Sequence, residues 1–466
     1  MIEHTLPTPA VQPPLDANFR PAALAYRAFQ DAARSIGPTL QLALERGHGE
    51  VSRFELSIFP EGHARAAENY PLVERTLKFL LWQRGAHTVW VSGNDSLAAR
   101  LAEEYGPQGN RRFDWDFLGR QVYERPFRIL PCTPQELPLP QETPRPLGRH
   151  LQGCRIGFDL GASDRKVSAV IDGTPVYSEE VIWEPRKQAD PSYHYREILA
   201  AIQSAAAHLP RVDAIGGSAA GIYIHNRPMV ASLFRSVPEE RFDEVRNLFL
   251  RIQQAMGVPL EILNDGDITA LAGSMAIGEN SVLGIALGSS EAAGYINPQG
   301  LITGWLNELA FAPVDYSPHA PIEEWSGDRG CGASYLSQQC VFRLAPAAGF
   351  SIPEGLPDAE KLAYVQDLLA RGHEGAVNIW RSMGVYLGYA LAHYAHFYEI
   401  RHVLILGRCT SGTGGNLLME GCKQVWEAEF PDLLQQITLH LPDEKIRRVG
   451  QSVAAASLPE IRSEES

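Results

Sequence analysis

Residues 263–273, LNDGDITALAG, place two carboxylates and an amide at the point where an apolar segment ends. The apolar residues 258–262 before them predict a short buried strand, and residues 268–277 predict a helix. One interpretation is helix capping, because Asn and Asp side chains accept hydrogen bonds from the free N–H groups of a helix start. The other is chemical, because α/β folds place their reactive groups at the carboxyl ends of strands.

Length and composition indicate an ordinary globular protein of several domains. The chain has 466 residues, of which 45% are hydrophobic and 21% are charged. At about 150 residues per domain, we expect about two to four domains. The formal net charge of −14 argues against a general nucleic-acid or anionic-membrane binder, because the field of the whole molecule repels polyanions. A local basic phosphate site remains compatible with that charge.

The six cysteines are scattered and form no C-x-x-C pair, which is typical of a protein in a reducing cytosol. The N-terminal residues lack the charged-then-apolar pattern of a signal peptide. No apolar run approaches the ~18 residues that a membrane span needs. We therefore expect a cytoplasmic protein that does not enter a membrane.

Proline content and hydrophobic periodicity divide the chain into five parts. The segment 132–148 holds five prolines and cannot form a helix or a central strand, which predicts a linker. The predicted parts are a loosely ordered segment (1–21), an accessory α/β domain (22–131), the Pro-rich linker (132–150), a first half (151–275) and a second half (276–466).

The two halves after the linker share one predicted pattern, which indicates an internal repeat of architecture. Each has a strand meander, then a helix, then a further strand. The first half has strands at 155–160, 166–171 and 175–182, a helix at 193–209 and a strand at 212–216. The second half has strands at 282–287, 292–296 and 301–303, a helix at 377–398 and a strand at 403–406.

Three turns in these halves are rich in small residues, at 159–166, 288–294 and 407–416. Such turns leave backbone N–H groups that can face a phosphate. The third turn links a predicted strand to a helix, where nucleotides commonly bind. Ordinary hairpin and strand–helix connections also use Gly and Ser, so each turn alone leaves both interpretations open.

The order of four motifs resembles the actin-like ATPase and sugar-kinase superfamily, and within it the ROK family of bacterial sugar kinases and repressors. The motifs are IGFDLGASDRKVSAVIDG (156–173), ILNDGDITALAG (262–273), LGSSEAAGYINPQGLITG (287–304) and VLILGRCTSGTGGNLL (403–418). The resemblance covers residues 153–455. It implies an α/β fold of duplicated ribonuclease-H-like (actin-like ATPase) domains with a cleft between them. With the accessory region, we expect a small N-terminal α/β domain as well.

The resemblance also implies roles for single residues. Asp265 would be the general base that takes the proton of a sugar hydroxyl, and Asn264 and Glu308 would bind the sugar. Asp159 would orient water around Mg²⁺ carried by ATP. For Asp267 we keep the capping interpretation. The implied cofactor-binding residues are Asp159, Gly161, Ser163, Lys166, Gly288, Ser289, Ser290, Gly407 and Gly412.

The chain departs from the ROK pattern where many members hold a structural zinc. Three Cys and one His of that pattern correspond here to Glu324, Ser326, Cys331 and Phe311. One thiol cannot make a tetrahedral site, so we expect no zinc and no protein-held metal. Cys331 is then interpreted as a small buried apolar residue.

Three further departures bear on the activity. Ala333 stands where the family has a second sugar-binding Glu, and both phosphate-type turns carry an extra acid, Asp164 and Glu291. A carboxylate that faces a polyphosphate weakens its binding unless Mg²⁺, Arg165 or Lys166 offsets the charge.

Two function classes therefore remain open. One is an ATP- and Mg²⁺-dependent sugar or sugar-derivative kinase. The other is a catalytically silent relative that binds a sugar-like or anionic ligand as a sensor. A DNA-binding repressor is a distant third, because residues 1–150, with a predicted strand at 88–92, do not resemble a winged helix. We expect a small sugar-like ligand and no nucleic-acid partner, and we leave a homodimer open.

Overall fold

The structure is a computed structural model that describes residues 6–441 and 444–461, with the side chains of 444–449 left out. The fold is mixed α/β. The strands are β1 (Thr39–Glu45), β2 (Val51–Ser57), β3 (Thr88–Ser92), β4 (Arg128–Pro131), β5 (Cys154–Leu160), β6 (Asp164–Ile171), β7 (Thr174–Ile182), β8 (Ala214–Ala219), β9 (Ile222–Ile224), β10 (Arg227–Val230), β11 (Leu260–Asn264), β12 (Val282–Leu287), β13 (Glu291–Ile296), β14 (His402–Leu406) and β15 (Thr438–His440).

The α-helices lie between groups of these strands along the chain. They are α1 (Ala22–Ala33), α2 (Asn69–Arg84), α3 (Asp95–Glu104), α4 (Arg112–Asp116), α5 (Pro191–Ala206), α6 (Phe242–Arg246), α7 (Leu248–Met256), α8 (Asp265–Ile277), α9 (Gln338–Leu344), α10 (Asp358–Ala370), α11 (Glu374–Tyr394), α12 (Gly414–Glu429), α13 (Pro431–Gln436) and α14 (Glu444–Ala456). Within the described ranges, none of them combines the length and the apolar character needed to cross a membrane.

Contacts within the chain define two compact units, which we describe one at a time. The first unit contains Met1–Thr143, Ile285–Ala293 and Trp305–Leu441. The second contains Pro144–Gly284, Gly294–Gly304 and Pro442–Ser466. The predicted domain boundaries do not coincide with these units, because residues 22–131 share a unit with much of the predicted second half. The domain assignment from sequence therefore stays a prediction about independent folding.

The second unit is built on a five-stranded sheet with the order β11-β8-β5-β6-β7. Strands β5, β6 and β7 form the predicted antiparallel meander. Strand β8 runs parallel to β5, and β11 runs parallel to β8. The carboxyl ends of β5, β8 and β11 therefore lie along one edge of the sheet, where α/β folds place ligands.

The C-terminal helix α14 packs on this sheet through two glycines. A Cβ at Gly157 of β5 would lie 2.0 Å from the carbonyl oxygen of Ser452, and one at Gly216 of β8 would lie 1.6 Å from that of Ala455. Both distances are shorter than any allowed contact, so only Gly lets the helix backbone approach the strands this closely. This packing explains why the C-terminal residues belong to the second unit.

The first unit contains a four-stranded sheet with the order β2-β1-β3-β4. It also contains β14 and β15 of another four-stranded sheet, whose order is β13-β12-β14-β15. The predicted strands 282–287, 292–296 and 403–406 are confirmed, with shifts of at most one residue at their ends. The predicted strand 301–303 is not a regular strand. There Ile302 makes only isolated bridges to Ile296 and Arg145, all within the second unit.

A buried charge network lies within the first unit and joins α2 and α4 to the segment 321–331. Lys78, which is fully buried, contacts Asp114 at 2.9 Å and Asp328 at 3.2 Å. Burial alone would lower the pKa of Lys78, but the two carboxylates outweigh burial and raise it. Removal of Lys78 would leave the buried Asp114 carboxylate without its cation, which typically costs about 3–5 kcal/mol.

The predicted linker is held at both ends. Leu137 is buried against Ala43 and Val51 in the first unit, and the Arg53 guanidinium donates to the carbonyl oxygen of Pro138 at 2.5 Å. In the second unit, the Gly148 N–H donates to the Leu458 carbonyl oxygen at 3.1 Å. The segment 1–21, expected to be loosely ordered, lies partly outside the described residues.

These contacts predict the outcome of limited proteolysis. We expect a protease to cut the 132–150 segment slowly, because cleavage needs a locally unfolded backbone. The two products should remain associated until denaturant is added, since the charge network joins α2 and α4 to segment 321–331. Size-exclusion chromatography of the nicked protein measures this. Release of a folded 22–131 fragment in native buffer would contradict the expectation and support an independent accessory domain.

Candidate functional site

Asp265 is the first residue of α8, directly after β11 at the carboxyl edge of the second unit's sheet. The capping interpretation holds for its neighbour: the side-chain oxygen of Asn264 accepts from the Gly266 N–H at 2.7 Å. The amide nitrogen of Asn264 donates to the Gly221 carbonyl oxygen at 2.7 Å. Asn264 therefore supplies the side-chain cap of α8, so capping alone does not require a carboxylate at residue 265.

The interpretation of Asp267 as the capping residue is corrected by this arrangement. Its side chain is buried, and it accepts from the backbone N–H of Tyr295 at 3.4 Å. Asp267 therefore joins the start of α8 to residue 295, within the second unit. The sequence allowed this error because Asn and Asp are both common at helix starts.

The pKa of Asp265 is raised to about 6, first by burial and then by the negative charge of Asp159. Backbone N–H groups at the helix start act in the opposite direction. The two carboxylates come from β5 and from the residue after β11, which are separated in the sheet only by β8. The structure thus brings together two of the residues that the sequence singled out.

Asp159 has its own raised pKa, chiefly because it is buried, while the positive charge of Lys166 opposes the shift. Asp159 is paired in register with Lys166 on β6 and with Ser218 on β8. Asp159, Asp265 and Lys166 therefore form one electrostatic cluster at this edge of the sheet.

The first phosphate-type turn lies between β5 and β6 and is closed by its own polar groups. The Gly161 N–H donates to the Asp164 carbonyl oxygen at 2.9 Å, and the exposed Ser163 hydroxyl donates to the Asp164 carboxylate at 2.9 Å. Lys166 contacts the same carboxylate at 2.9 Å. Lys166 thus offsets the extra acid Asp164, which was one of the expected ways to relieve repulsion of a phosphate.

The second phosphate-type turn, between β12 and β13, exposes Ser289 and Ser290, while the Gly288 N–H donates to the Ser290 carbonyl oxygen at 3.1 Å. Glu291 follows at the start of β13, and the expectation that it faces a phosphate is wrong. It is 3% exposed and accepts a hydrogen bond from Tyr394 at 3.1 Å. Burial raises the pKa of Glu291 to about 8.

The third Gly-rich turn connects β14 to α12 in the first unit. Gly407 has φ 94°, and a Cβ there would lie 2.4 Å from the Leu287 carbonyl oxygen, so this position requires Gly. Gly412 also has a positive φ of 62°, and it is exposed with open space around it. This turn leads into the start of a 16-residue helix, an arrangement suited to a phosphate.

The first unit also carries Glu308, which precedes a short 3-10 helix and is partly exposed. Its backbone N–H donates to the Trp82 carbonyl oxygen of α2 at 3.0 Å. Ala333 lies in the following short 3-10 helix, Gly332–Ser334. Residue 333 thus offers no carboxylate for a sugar hydroxyl.

The four positions of the zinc pattern have other surroundings. The Phe311 ring packs on Trp82 with centroids 4.3 Å apart. Cys331 is fully buried, and its thiol approaches an Asp328 oxygen at 3.8 Å. Glu324 is exposed, and the Ser326 hydroxyl donates to Glu323 at 2.7 Å. No group of three or more His, Cys, Asp or Glu suited to a metal occurs in the described parts of the chain.

Two residues near Asp265 were missed by the sequence reasoning. Gly221, with φ 126°, presents the carbonyl that holds Asn264. Tyr223 on β9 is half-buried, and both its burial and the charge of Asp265 raise its pKa. The sequence did contain a signal for Gly221. The small residues SAAG at 218–221 lie at the end of β8, the strand that pairs with β11.

Comparisons with known proteins identify the fold. No family model matches this chain, and no curated protein matches it. Among solved structures, a ROK family glucokinase from Streptomyces griseus in complex with glucose and AMPPNP is 20% identical, with a TM-score of 0.50. The match covers 65% of this chain and 99% of that one. A ROK hexokinase from Thermus thermophilus is 18% identical, with a TM-score of 0.51 and coverages of 65% and 98%.

A ROK family transcriptional regulator, described as a homologue of the E. coli MLC protein, is also similar. It is 18% identical with a TM-score of 0.52, over 66% of this chain and 79% of that one. At these identities the likeness concerns the fold. The chain therefore has a ROK-like fold, as its four motifs predicted, and both kinases and a regulator share that fold.

Burial of Glu291 predicts a pH-dependent stability. Between the ordinary Glu pKa and about 8, the folded state keeps a proton that the unfolded state releases. Stability should therefore fall as pH rises through that window, by an amount on the order of a few kcal/mol. Glu291→Gln, which stays neutral, should raise the melting temperature at neutral and alkaline pH and have less effect at mildly acidic pH. The exposed Glu427→Gln is the matched control, and equal shifts for both variants would contradict the assignment.

The altered zinc positions predict a metal-free segment. We expect elemental analysis to find far less than one zinc per chain, and a chelator to leave the melting temperature unchanged. Loss of a structural zinc otherwise removes folding free energy directly. One tightly held zinc per chain would show that other ligands replace the missing thiols.

Proposed function

We propose that this protein is an ATP-dependent kinase that transfers a phosphoryl group to a hydroxyl of a sugar or sugar derivative. One observation carries the proposal: Asp265 stands at the carboxyl edge of the sheet with its pKa raised to about 6, next to a second carboxylate. A general base works best when its pKa lies near the operating pH. At neutral pH, Asp265 is mostly ionised and still basic enough to accept a hydroxyl proton.

The residues present fit a nucleotide that carries Mg²⁺. Burial raises the pKa of both Asp159 and Asp265, and the charge of Asp159 raises that of Asp265 further, so a divalent cation would stabilise both carboxylates as anions. Asp159, through water, would hold the cation. Gly161 and Ser163 of the second unit, and Gly288, Ser289, Ser290, Gly407 and Gly412 of the first, are proposed for the phosphates and the nucleoside. Mg·ATP supplies the phosphoryl group and neutralises its charge.

The chain's own residues then have separate tasks. Asp265 accepts the proton of the attacking hydroxyl, which makes the oxygen a better nucleophile. Asn264 and Glu308 are proposed to bind other hydroxyls of the sugar. Asn264 already holds Gly221 and Gly266, so it would bind the sugar through a remaining lone pair or proton. Lys166 balances the charge of Asp164 and Asp159.

A second function is favoured by two specific observations. Lys166 is paired with Asp164 at 2.9 Å, which reduces its availability for a phosphate. Ala333 removes one carboxylate from the proposed sugar site. Both suit a protein that binds a sugar-like or anionic ligand without turnover and acts as a sensor. The two functions differ in whether nucleotide is consumed in a sugar-dependent way.

Asp265→Asn tests the kinase proposal. It removes the proton acceptor and keeps the side-chain shape, so turnover should fall by ~10²–10⁴-fold with sugar binding retained. Sugar-dependent ADP release measures turnover, and calorimetry measures binding. Asp243→Asn, whose side chain is 86% exposed in the same unit, should leave both unchanged.

The pH profile supplies a second readout of the same variant. In the native protein, kcat/KM should rise with pH up to about 6 and then level off, as Asp265 loses its proton. Asp265→Asn should lose this acid limb. An unchanged rate and profile in the variant would remove Asp265 from the mechanism.

A further inference from the structure

A cavity lies in the first unit, lined by residues outside the four ROK-like motifs. Its volume is about 410 Å³, within the usual range for small-molecule sites. Its apolar wall includes Phe29, Leu72 and Pro71, and the Tyr70 and Tyr316 rings also line it. A wall of aromatic and aliphatic side chains suits a flat apolar body.

Four arginines and three glutamates also line the cavity, and most of them neutralise one another. Arg65 is paired with Glu68 at 2.7 Å. Arg75 and Arg111 share Glu74, each with a contact of 2.7 Å. The remaining charged residues of the lining are Arg100 and Glu104, which take no part in these ion pairs.

Arg100 and Glu104 are both on α3, yet they do not form an ion pair in the described part of the chain. The Arg100 guanidinium instead stacks 3.4 Å from the centre of the Tyr70 ring. The Glu104 carboxylate accepts from the Asn110 amide at 3.0 Å. A guanidinium stacked on an aromatic face keeps its in-plane N–H groups available, and these match a carboxylate or a phosphate.

Other charged residues of the lining are held in place by several contacts each. Arg75 and Arg111 also contact the buried Asp328, at 2.9 Å and 2.5 Å. Glu74 is 5% exposed and accepts from the Tyr105 hydroxyl at 3.0 Å. Side chains held in this way need no reorganisation when a ligand enters, which reduces the entropic cost of binding.

We propose that this cavity is a binding site for a small organic anion with a flat apolar body, whose carboxylate or phosphate pairs with Arg100. The body lies among Phe29, Leu72 and Tyr316. The site belongs entirely to the first unit and contains none of the residues proposed for sugar phosphorylation, so it does not depend on that function.

Calorimetry on the full-length protein with three probes tests the proposal. 3-Phenylpropionate and phenyl phosphate carry the two anionic groups, and 3-phenylpropanamide is the neutral match of the first. We expect saturable binding of at least one anion in the micromolar to millimolar range. The amide should bind about tenfold more weakly or worse, because it lacks the charge-assisted hydrogen bonds.

Three variants locate the site, with circular dichroism to verify folding. Arg100→Gln removes the cation at an exposed position and should weaken anion binding about tenfold without affecting the amide. Ala28→Trp fills the cavity from its exposed rim and should abolish binding of all three probes. Arg112→Gln, an exposed arginine outside the lining, should change nothing. Failure of both anions to bind at millimolar concentration, equal affinity for anion and amide, or insensitivity to Arg100→Gln or Ala28→Trp would overturn the proposal.

Discussion

The repulsion between Asp159 and Asp265 is the interaction on which the proposed function depends. It follows from the direction of three strands: β5, β8 and β11 are parallel, so their carboxyl ends share one edge of the sheet. Two partly buried carboxylates at one edge destabilise each other's charged form. Such an arrangement costs stability, and perturbed acids in this position are characteristic of functional sites. Lys166 and the first turn of α8 reduce that cost.

Much of the second unit could be predicted from the sequence. Alternating apolar residues and short Gly-containing turns identified the meander β5-β6-β7, and the apolar run before Asn264 identified β11. The contact of α14 with this sheet could not be predicted, because it depends on Gly157 and Gly216, which look like ordinary strand residues in sequence. Their role is visible only when the helix backbone is placed against them.

The same limit applies to single side chains of the site. Glu291 follows a Gly-Ser-Ser turn, so the sequence suggested an acid close to a bound phosphate. Its side chain instead points into the first unit and contacts Tyr394. A slip of one residue in a strand reverses the face of every side chain, and a turn of uncertain length leaves that register open. The position of Asp265 after a strand was predicted correctly, because it depends only on the strand–helix junction, which the pattern defined well.

The most direct test of the kinase proposal is phosphorus NMR of the protein with Mg·ATP and a panel of sugars and sugar derivatives. If Asp265 acts as the base, a phosphomonoester signal should grow with at least one sugar as the ATP signals decline, and it should be nearly absent with Asp265→Asn. If a sugar binds to the native protein while ATP stays intact and no phosphomonoester forms with any member of the panel, the kinase proposal is contradicted and the sensor function is favoured.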